Sequence, residues 1–294
     1  MKVNNEKPTR YRLLEALKEA PGLLSGDELA SMLGVSRVAV WKGAHSLAAE
    51  GHRIRIGKNG YSYEHGGDPL GTSVLEGRVR FARSASSTMD MARDALRRGE
   101  SAGYAAVAEE QTAGRARYGA WPSYKGGLYL SYIAEPGLPY SFYGRVALSA
   151  CVVAIRALEE HGLEGLAAAW PGDIMAGDEK IGGVLIEAHS EHGRVMAVIG
   201  IGVAPSRARY PRAETIAALL RSLDAMPWLE RDFIDAWESR ASDIGAMAVA
   251  RTPWALIEGR IMGVGEDASL RLSSDGAEAL VHYGFAIERC RVKE

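Results

Sequence analysis

Cysteine is almost missing from this 294-residue chain. Cys151 and Cys290 stand far apart and show no ligand-type spacing, which excludes a disulfide framework and indicates no metal site. Two isolated reduced thiols are the expectation. Long apolar runs are lacking too: no segment approaches the roughly 20 apolar residues that a membrane helix needs, so no membrane partner is expected. The opening MKVNNEKPTRYR has no apolar stretch of the secretory type, and a cytoplasmic location is expected. Low-complexity tracts and repeats are absent. What remains, 47% hydrophobic and 24% charged residues, is the composition of a folded globular protein, long enough for two or three domains.

The small overall charge of -2 conceals an asymmetry. Residues 1–65 carry ten Lys/Arg against seven Asp/Glu and the remainder 25 against 30, so a unit of net +3 precedes a body of net -5. That sign suits a nucleic-acid-binding module joined to an enzyme-like body.

Local patterns in the first 65 residues agree. From Thr9 to Glu19, Tyr11, Leu13, Leu14 and Leu17 lie on one helical stripe, which Pro21 and Gly22 stop. Ser25 with Glu28 three residues on forms a capping box for a second helix, buried through Leu29, Ala30 and Leu33 and ended by Gly34. Ser36 caps a third helix in which Val38, Val40, Trp41, Ala44 and Leu47 recur at helical spacing. Two short helices about a glycine turn read as a helix-turn-helix. The alternating HRIRIGKNGYSY, with Asn59–Gly60 as hairpin signal, adds a β-wing. Ser36, Arg37, Ala39 and Lys42 then stand at the start of the recognition helix, and Lys58 at the wing tip, where side chains reach operator DNA. A small helical protein-interaction domain is the alternative.

A Gly/Pro-rich linker, HGGDPLGTS, spans 65–73. After it strands and helices mix: VLEGRVRFA reads as a strand, SSTMDMARDALRRG as a capped helix, AAVAEEQ and LYLSYIAE as strands. SFYGRVALSACVVAIRALEEHG reads as a long buried helix. GVLIEAHS and RVMAVIGIGVA can pair as a hairpin, and AETIAALLRSL and WLERDFIDAWESRASDIG read as helices. From about Thr252 short strands alternate with Gly/Asp turns, the pattern of a small antiparallel barrel. The fold class is α+β and multidomain, with a winged helix-turn-helix over 1–65, an α+β domain over 74–250 and a small β-barrel over 252–294.

Candidate chemistry concentrates in three segments. In QTAGRARYGAWPSYKGG, backbone amides freed by Gly114 and Gly119 join Arg115 and Arg117 around an anion such as phosphate, which arginine grips with paired planar donors. An exposed basic loop is the plain alternative. AWPGDIMAGDEKIGGVLIE sets Asp173 after a Trp–Pro turn and Lys180 before a Gly–Gly pair, where a lysine can stabilise charge developing in acyl transfer. Gly200 and Gly202 leave a strand bare at two positions, either for a flat ligand or to relieve crowding. Ser87 and Thr88 most simply cap a helix.

Five fragments, in order, resemble the bifunctional biotin–protein ligase and biotin-operon repressor family: LGVSRVAVWK…GKNGYSY, SSTMD, QTAGRARYGAWPS, AWPGD…KIGGVLIE and GIGV. The resemblance spans nearly the whole chain and implies a biotin-ligase-like core with an SH3-like C-terminal barrel. It implies biotin and ATP as substrates, Mg2+ where catalysis operates, and transfer of biotin through biotinyl-5′-AMP to a lysine of a biotin carboxyl carrier protein. By motif, Ser87, Thr88 and Gln111 bind biotin, Gly114, Arg115 and Arg117 cover its carboxylate and the phosphate, and Gly200 and Gly202 floor the pocket. Arg115 and Lys180 are the catalytic pair, Lys180 also touching the ligand. Arg117, Trp121 and Asp173 fall on the nucleotide side. Biotin or biotinyl-5′-AMP would be the effector that promotes homodimerisation and repression.

The chain departs from the family pattern at Ala169, Gly172, Ala204, Ala116, Tyr118, Ala120 and Phe285, and it is short between Ala204 and Glu214. Most departures touch the nucleotide half. Two readings stay open: a working ligase-repressor, or a sensor-repressor that has lost ATP-dependent catalysis and binds biotin or another small carboxylate as effector.

Overall fold

The computed structural model describes residues 9–49, 54–63, 78–117, 119–124, 126–191, 194–204, 210–228, 232–274, 276–283 and 286–289. The expected linker, Tyr118, Phe285 and the short segment after Ala204 lie outside the described residues, the last over 205–209. The chain divides into two compact units, 1–83 and 84–294.

In the first unit α1 (Thr9–Glu19), α2 (Gly26–Leu33) and α3 (Arg37–Ala49) precede a two-stranded wing, β1 (Ile54–Gly57) and β2 (Gly60–Tyr63). The expected capping box is present: the Ser25 amide donates to Glu28 Oε2 at 2.7 Å and the Glu28 amide to Ser25 Oγ at 3.2 Å. Gly34 ends α2 at φ +65°, a left-handed turn that aims α3. Leu13, Leu17, Leu29, Leu33, Val40, Ala44, Leu47 and Tyr61 form the core. Not all of the apolar stripe of α3 joins it, since Val38 and Trp41 are exposed. The two-residue wing turn is Lys58–Asn59, one position earlier than the Asn–Gly signal suggests, with Gly57 facing Gly60. Gly60 cannot be replaced cheaply. Its φ is +139°, and a Cβ there would stand 2.3 Å from Leu24 O, where Leu24 and Tyr61 exchange backbone hydrogen bonds.

Strand β3 (Val79–Ala85) crosses the division at residue 83, and the second unit continues with α4 (Thr88–Arg97), β4 (Ala105–Gln111), β5 (Leu128–Ala134) and α5 (Tyr143–Glu160). β6 (Leu166–Ala169), β7 (Asp173–Ala176), β8 (Glu179–Glu191), β9 (Arg194–Val203), α6 (Arg212–Asp224) and α7 (Asp232–Glu238) follow. One seven-stranded sheet runs β3-β4-β5-β9-β8-β7-β6, and β8 and β9 pair as the expected hairpin. β6 and β7, which flank a cis Trp170–Pro171 bond, are absent from the sequence reading because LAAA and DIMA are too short and alanine-rich to show a period. The last expected helix is also shorter than read. It stops at Glu238 so that Ala241 can bridge to Ala168 and the Asp243 carboxylate can accept from the Trp170 amide at 3.0 Å.

One expectation on apolar runs is overturned. Tyr140–Glu160 is long and apolar enough to cross a membrane by length and composition, with mean hydropathy 1.4. That window is 78% buried inside the protein, so its apolarity serves the core of the second unit.

The C-terminal strands β10 (Met247–Arg251), β11 (Leu256–Val264), β12 (Leu270–Ser274), β13 (Ala277–Val281) and β14 (Ala286–Arg289) form an antiparallel sheet in the order β13-β12-β11-β10-β14. Within the second unit this sheet is tied to the core. The Trp170 indole donates to Ala268 O at 2.9 Å, and the Val264 amide donates to Glu238 Oε1 at 2.8 Å.

Candidate functional site

The start of α4 builds a buried hydroxyl relay. Ser87 caps the helix by accepting from the Met89 amide at 3.2 Å. The next residue, Thr88, receives a 2.8 Å hydrogen bond from Ser131 Oγ on β5. Its own hydroxyl donates to Gln111 Oε1 at 3.2 Å and its amide to the same oxygen at 2.8 Å. Ser87, Thr88 and Ser131 are all buried, so these bonds are what make three hydroxyls tolerable in an apolar interior. The backbone N–H of Gln111 donates in turn to Ser123 Oγ at 2.7 Å. Ser131 escapes the sequence reading because it lies inside the fully buried strand LYLSYIA, with no motif around it.

The relay opens into a cavity of about 60 Å³, room for a few water molecules. Ser87, Thr88, Gln111, Arg115, Arg117, Trp121, Asp173, Lys180, Gly200 and Gly202, all expected site residues, line it. Gly200 and Gly202 share a face of β9, and each makes room for one of the protein's own side chains. A Cβ at Gly200 would lie 2.5 Å from Met89 Sδ, and one at Gly202 2.9 Å from the Trp121 ring. A bicyclic ligand therefore has to displace Met89, Trp121 or both. Gly114 does not line the cavity; it pinches the loop, its carbonyl accepting from the Trp121 amide at 2.8 Å. A Cβ there would stand 2.6 Å from Trp121 O.

Cations gather around this opening, each against a carboxylate or an aromatic ring. Lys180 pairs with Asp173 at 2.7 Å and sits 5.6 Å from the Trp121 ring centre. Arg115 pairs with Glu187 at 2.7 Å and approaches Asp90 at 3.5 Å. Arg93 joins both carboxylates, bonding Asp90 and lying 3.8 Å from Glu187. Arg117 instead stacks its guanidinium 4.0 Å from the Tyr283 ring centre. A wider cavity of about 390 Å³ opens beside the same loop, lined by Arg115, Arg117, Tyr140, Glu187 and Tyr283 among others. Met89, Asp90, Glu187 and Tyr283 are unassigned by sequence. Three of them stand inside the quoted fragments SSTMD and KIGGVLIE, whose ends name the residues without saying what they touch.

The departures fall as follows. Ala169 is buried in the core, Ala116 lines the cavity and Ala120 is exposed at the base of the loop, bridged to Arg115. Gly172 accepts from the Val184 amide at 2.8 Å, and the Ala204 amide donates to Ile181 O at 2.7 Å. Both positions are thus used by the backbone.

In the first unit Ser36 is a helix cap, its hydroxyl accepting from the Ala39 amide at 3.2 Å. Arg37 lies 3.4 Å from Asp27, with both side chains largely exposed. Ala39 is half-buried, whereas Lys42 and the wing-tip Lys58 project into solvent. The Trp41 and His45 rings lie tilted against each other at 4.3 Å between ring centres, with Trp41 exposed.

The sequence model of the biotin/lipoate A/B protein ligase family matches residues 81–204, and that of an HTH domain matches residues 9–62. The bifunctional ligase/repressor BirA of Bacillus subtilis is 27% identical over 306 residues, covering 90% of this chain and 94% of that protein. Its namesake in Escherichia coli is 31% identical over 191 residues, 61% of this chain and 58% of that one. A solved biotin protein ligase from Aquifex aeolicus in complex with biotin and ATP superposes with a TM-score of 0.60 at 22% identity, covering 73% of this chain and all of that one. That likeness concerns the fold.

Proposed function

For a chain that joins an HTH domain to a domain of the biotin/lipoate A/B protein ligase family, and that is homologous over 90% of its length to a bifunctional ligase/repressor, we propose the function of a DNA-binding repressor with biotin–protein ligase activity. The observation that carries the ligase half is convergence. Residues as distant as Ser87, Gln111, Lys180 and Gly202 line one cavity, with two loop arginines at its mouth.

In this reading the Thr88–Gln111 relay holds the polar end of biotin, and the carboxylate points toward Lys180. That carboxylate attacks the α-phosphate of ATP, pyrophosphate leaves and biotinyl-5′-AMP results. A carrier-protein lysine then attacks the acyl carbon, forming an amide and releasing AMP. Negative charge grows on the phosphate and carboxylate oxygens in the first step. Lys180, Arg115 and Arg117 are the cations placed to balance it. Lys180 has to exchange Asp173 for substrate oxygen, and Arg115 has to leave Glu187.

Among the described residues Asp173 is the sole carboxylate lining the smaller cavity, and it pairs with Lys180. Among the described residues no cluster of three metal-ligating side chains occurs. Where catalysis operates, Mg2+ would be held chiefly by the triphosphate and water.

The reading extends to a winged helix-turn-helix over 1–65, a ligase domain from 74 and an SH3-like barrel to 294, the expected boundary at 250–252 moving back to 247 because β10 pairs with β11 and β14. It includes homodimerisation on effector binding, operator DNA contacts through Arg37, Lys42 and Lys58, a carboxyl carrier protein as acceptor, and a cytoplasmic location. A sensor-repressor without catalysis is the second reading. It is favoured by the lack of a polar side chain at Gly172 and Ala204 and by Trp121 lying on the glycine floor.

ATP–pyrophosphate exchange in the presence of biotin separates the two. Exchange that depends on biotin and falls about a hundred- to thousandfold in Lys180→Ala supports the ligase. Biotin binding by calorimetry without any exchange supports the sensor, and absence of both removes biotin from the account.

A further inference from the structure

The two loop arginines are held in physically different ways. Arg115 spends Nη1 on Glu187 at 2.7 Å. Among the described residues Arg117 has no carboxylate partner. Its guanidinium lies 4.0 Å from the centre of the Tyr283 ring, and its Nη1 is buried without a hydrogen-bond partner. Stacking on a ring face uses the π surface of the guanidinium and leaves its in-plane N–H donors free. An arginine held this way keeps its donors for an incoming anion, whereas one held by a carboxylate must first give that partner up.

Tyr283 is itself firmly seated. Its Cβ packs over Gly144 of α5, where any added methyl would stand 3.1 Å from Tyr283 Cβ and 2.9 Å from Asp267 O. The preceding residue, His282, is 2.8 Å from Ser269 Oγ through Nδ1, and the neighbouring turn is pinned by the Trp170 indole on Ala268 O. Burial pushes the Tyr283 hydroxyl up from its ordinary value, against the opposing pull of the Arg117 guanidinium. The support for Arg117 thus comes from the residue that follows the C-terminal strands β10–β13, about 165 residues downstream of the loop.

We propose that Tyr283 is a positioning residue for Arg117: its ring holds the guanidinium beside the ligand cavity with the Nη1 donor unspent. This rests on the ligase reading. In structural terms it requires only the contact. It predicts that loss of the ring acts through Arg117 and nowhere else.

The test uses the full chain and four variants: Tyr283→Leu, Tyr283→Phe, Arg117→Ala and the double Arg117→Ala/Tyr283→Leu. Biotin-dependent ATP–pyrophosphate exchange should fall about tenfold in kcat for Tyr283→Leu, with KM for biotin little changed, because a cation–π contact is worth about one order of magnitude at a partly buried site. Tyr283→Phe should stay within about twofold, since the ring is retained. In the Arg117→Ala background Tyr283→Leu should add nothing, and an additive loss there would overturn the proposal.

A second measurement is independent of activity. Limited trypsin digestion of the ligand-free chain should cut after Arg117 several times faster in Tyr283→Leu than in wild type or Tyr283→Phe, with cleavage after Arg240 unchanged. Equal cutting at Arg117 in all three, or a general rise at every site, would overturn the contact. Were wild type to show no exchange, the ligase reading would fail while the digestion still decided the role of Tyr283.

Discussion

Ser131 donates a 2.8 Å hydrogen bond to the hydroxyl of Thr88, joining the centre of β5 to the first turn of α4 across 43 residues of sequence. Both side chains are sealed from solvent, at 0% and 3% exposure. Removing the donor leaves the Thr88 oxygen short of one protein partner.

Ser131→Ala is accordingly expected to cost about 1–2 kcal/mol of stability. It should also weaken biotin binding about tenfold by releasing Gln111 from its fixed orientation. Denaturant unfolding and calorimetric titration measure the two effects. Ser131→Thr, which keeps a hydroxyl, should restore part of the binding.

Gly202→Ala places a methyl 2.9 Å from the Trp121 indole. The ring has to shift toward the cavity mouth, so ligand affinity should fall at least tenfold while overall stability drops by about 1–3 kcal/mol. A changed tryptophan emission maximum in the ligand-free chain, alongside the affinity, checks the displacement. An unaltered spectrum with normal binding would mean that Trp121 does not rest on this strand in solution.

In the first unit, Lys42 and Lys58 are exposed and Arg37 shares its charge with Asp27. Lys42→Ala and Lys58→Ala should each lower the slope of log affinity against log salt by about one on duplex DNA. Asp27→Asn should act in the opposite direction, tightening binding by freeing Arg37. Gel-shift titrations over a range of salt concentrations report both.

The Glu28 carboxyl is held below its ordinary value by the Ser25 backbone amide first and the Ser25 hydroxyl second. Since the folded value lies under the unfolded one, its stabilisation is fully present above the unfolded value, about 4.3. It is lost as pH falls through the folded value. The gap in thermal midpoint between wild type and Glu28→Ala should therefore be widest near neutrality and close as the buffer is taken below about pH 4. A gap that stayed constant with pH would remove the carboxylate from the cap.

Local order carried much of this molecule in readable form. The Ser25–Glu28 box, Gly34 and the wing hairpin could be placed from residue type and spacing because caps and turns are decided within a few residues. The fragments around Ser87, Arg115, Lys180 and Gly202 stood out through the family resemblance, and the fold brings them to one cavity. The short β6–β7 pair was not, since alanine-rich strands carry no alternation and are held by neighbours on the sheet.

Amino-acid order alone determined which side chains were available to grip an anion or a duplex, and in what sequence the helices and strands would come. Tertiary folding decided how those side chains are occupied: Lys180 against Asp173, Arg115 against Glu187, Arg117 against a tyrosine far along the chain, Met89 and Trp121 on bare strand positions. Spacing rules reach only neighbours one turn or one strand apart, whereas these contacts are set by the packing of a seven-stranded sheet against helices and a second sheet.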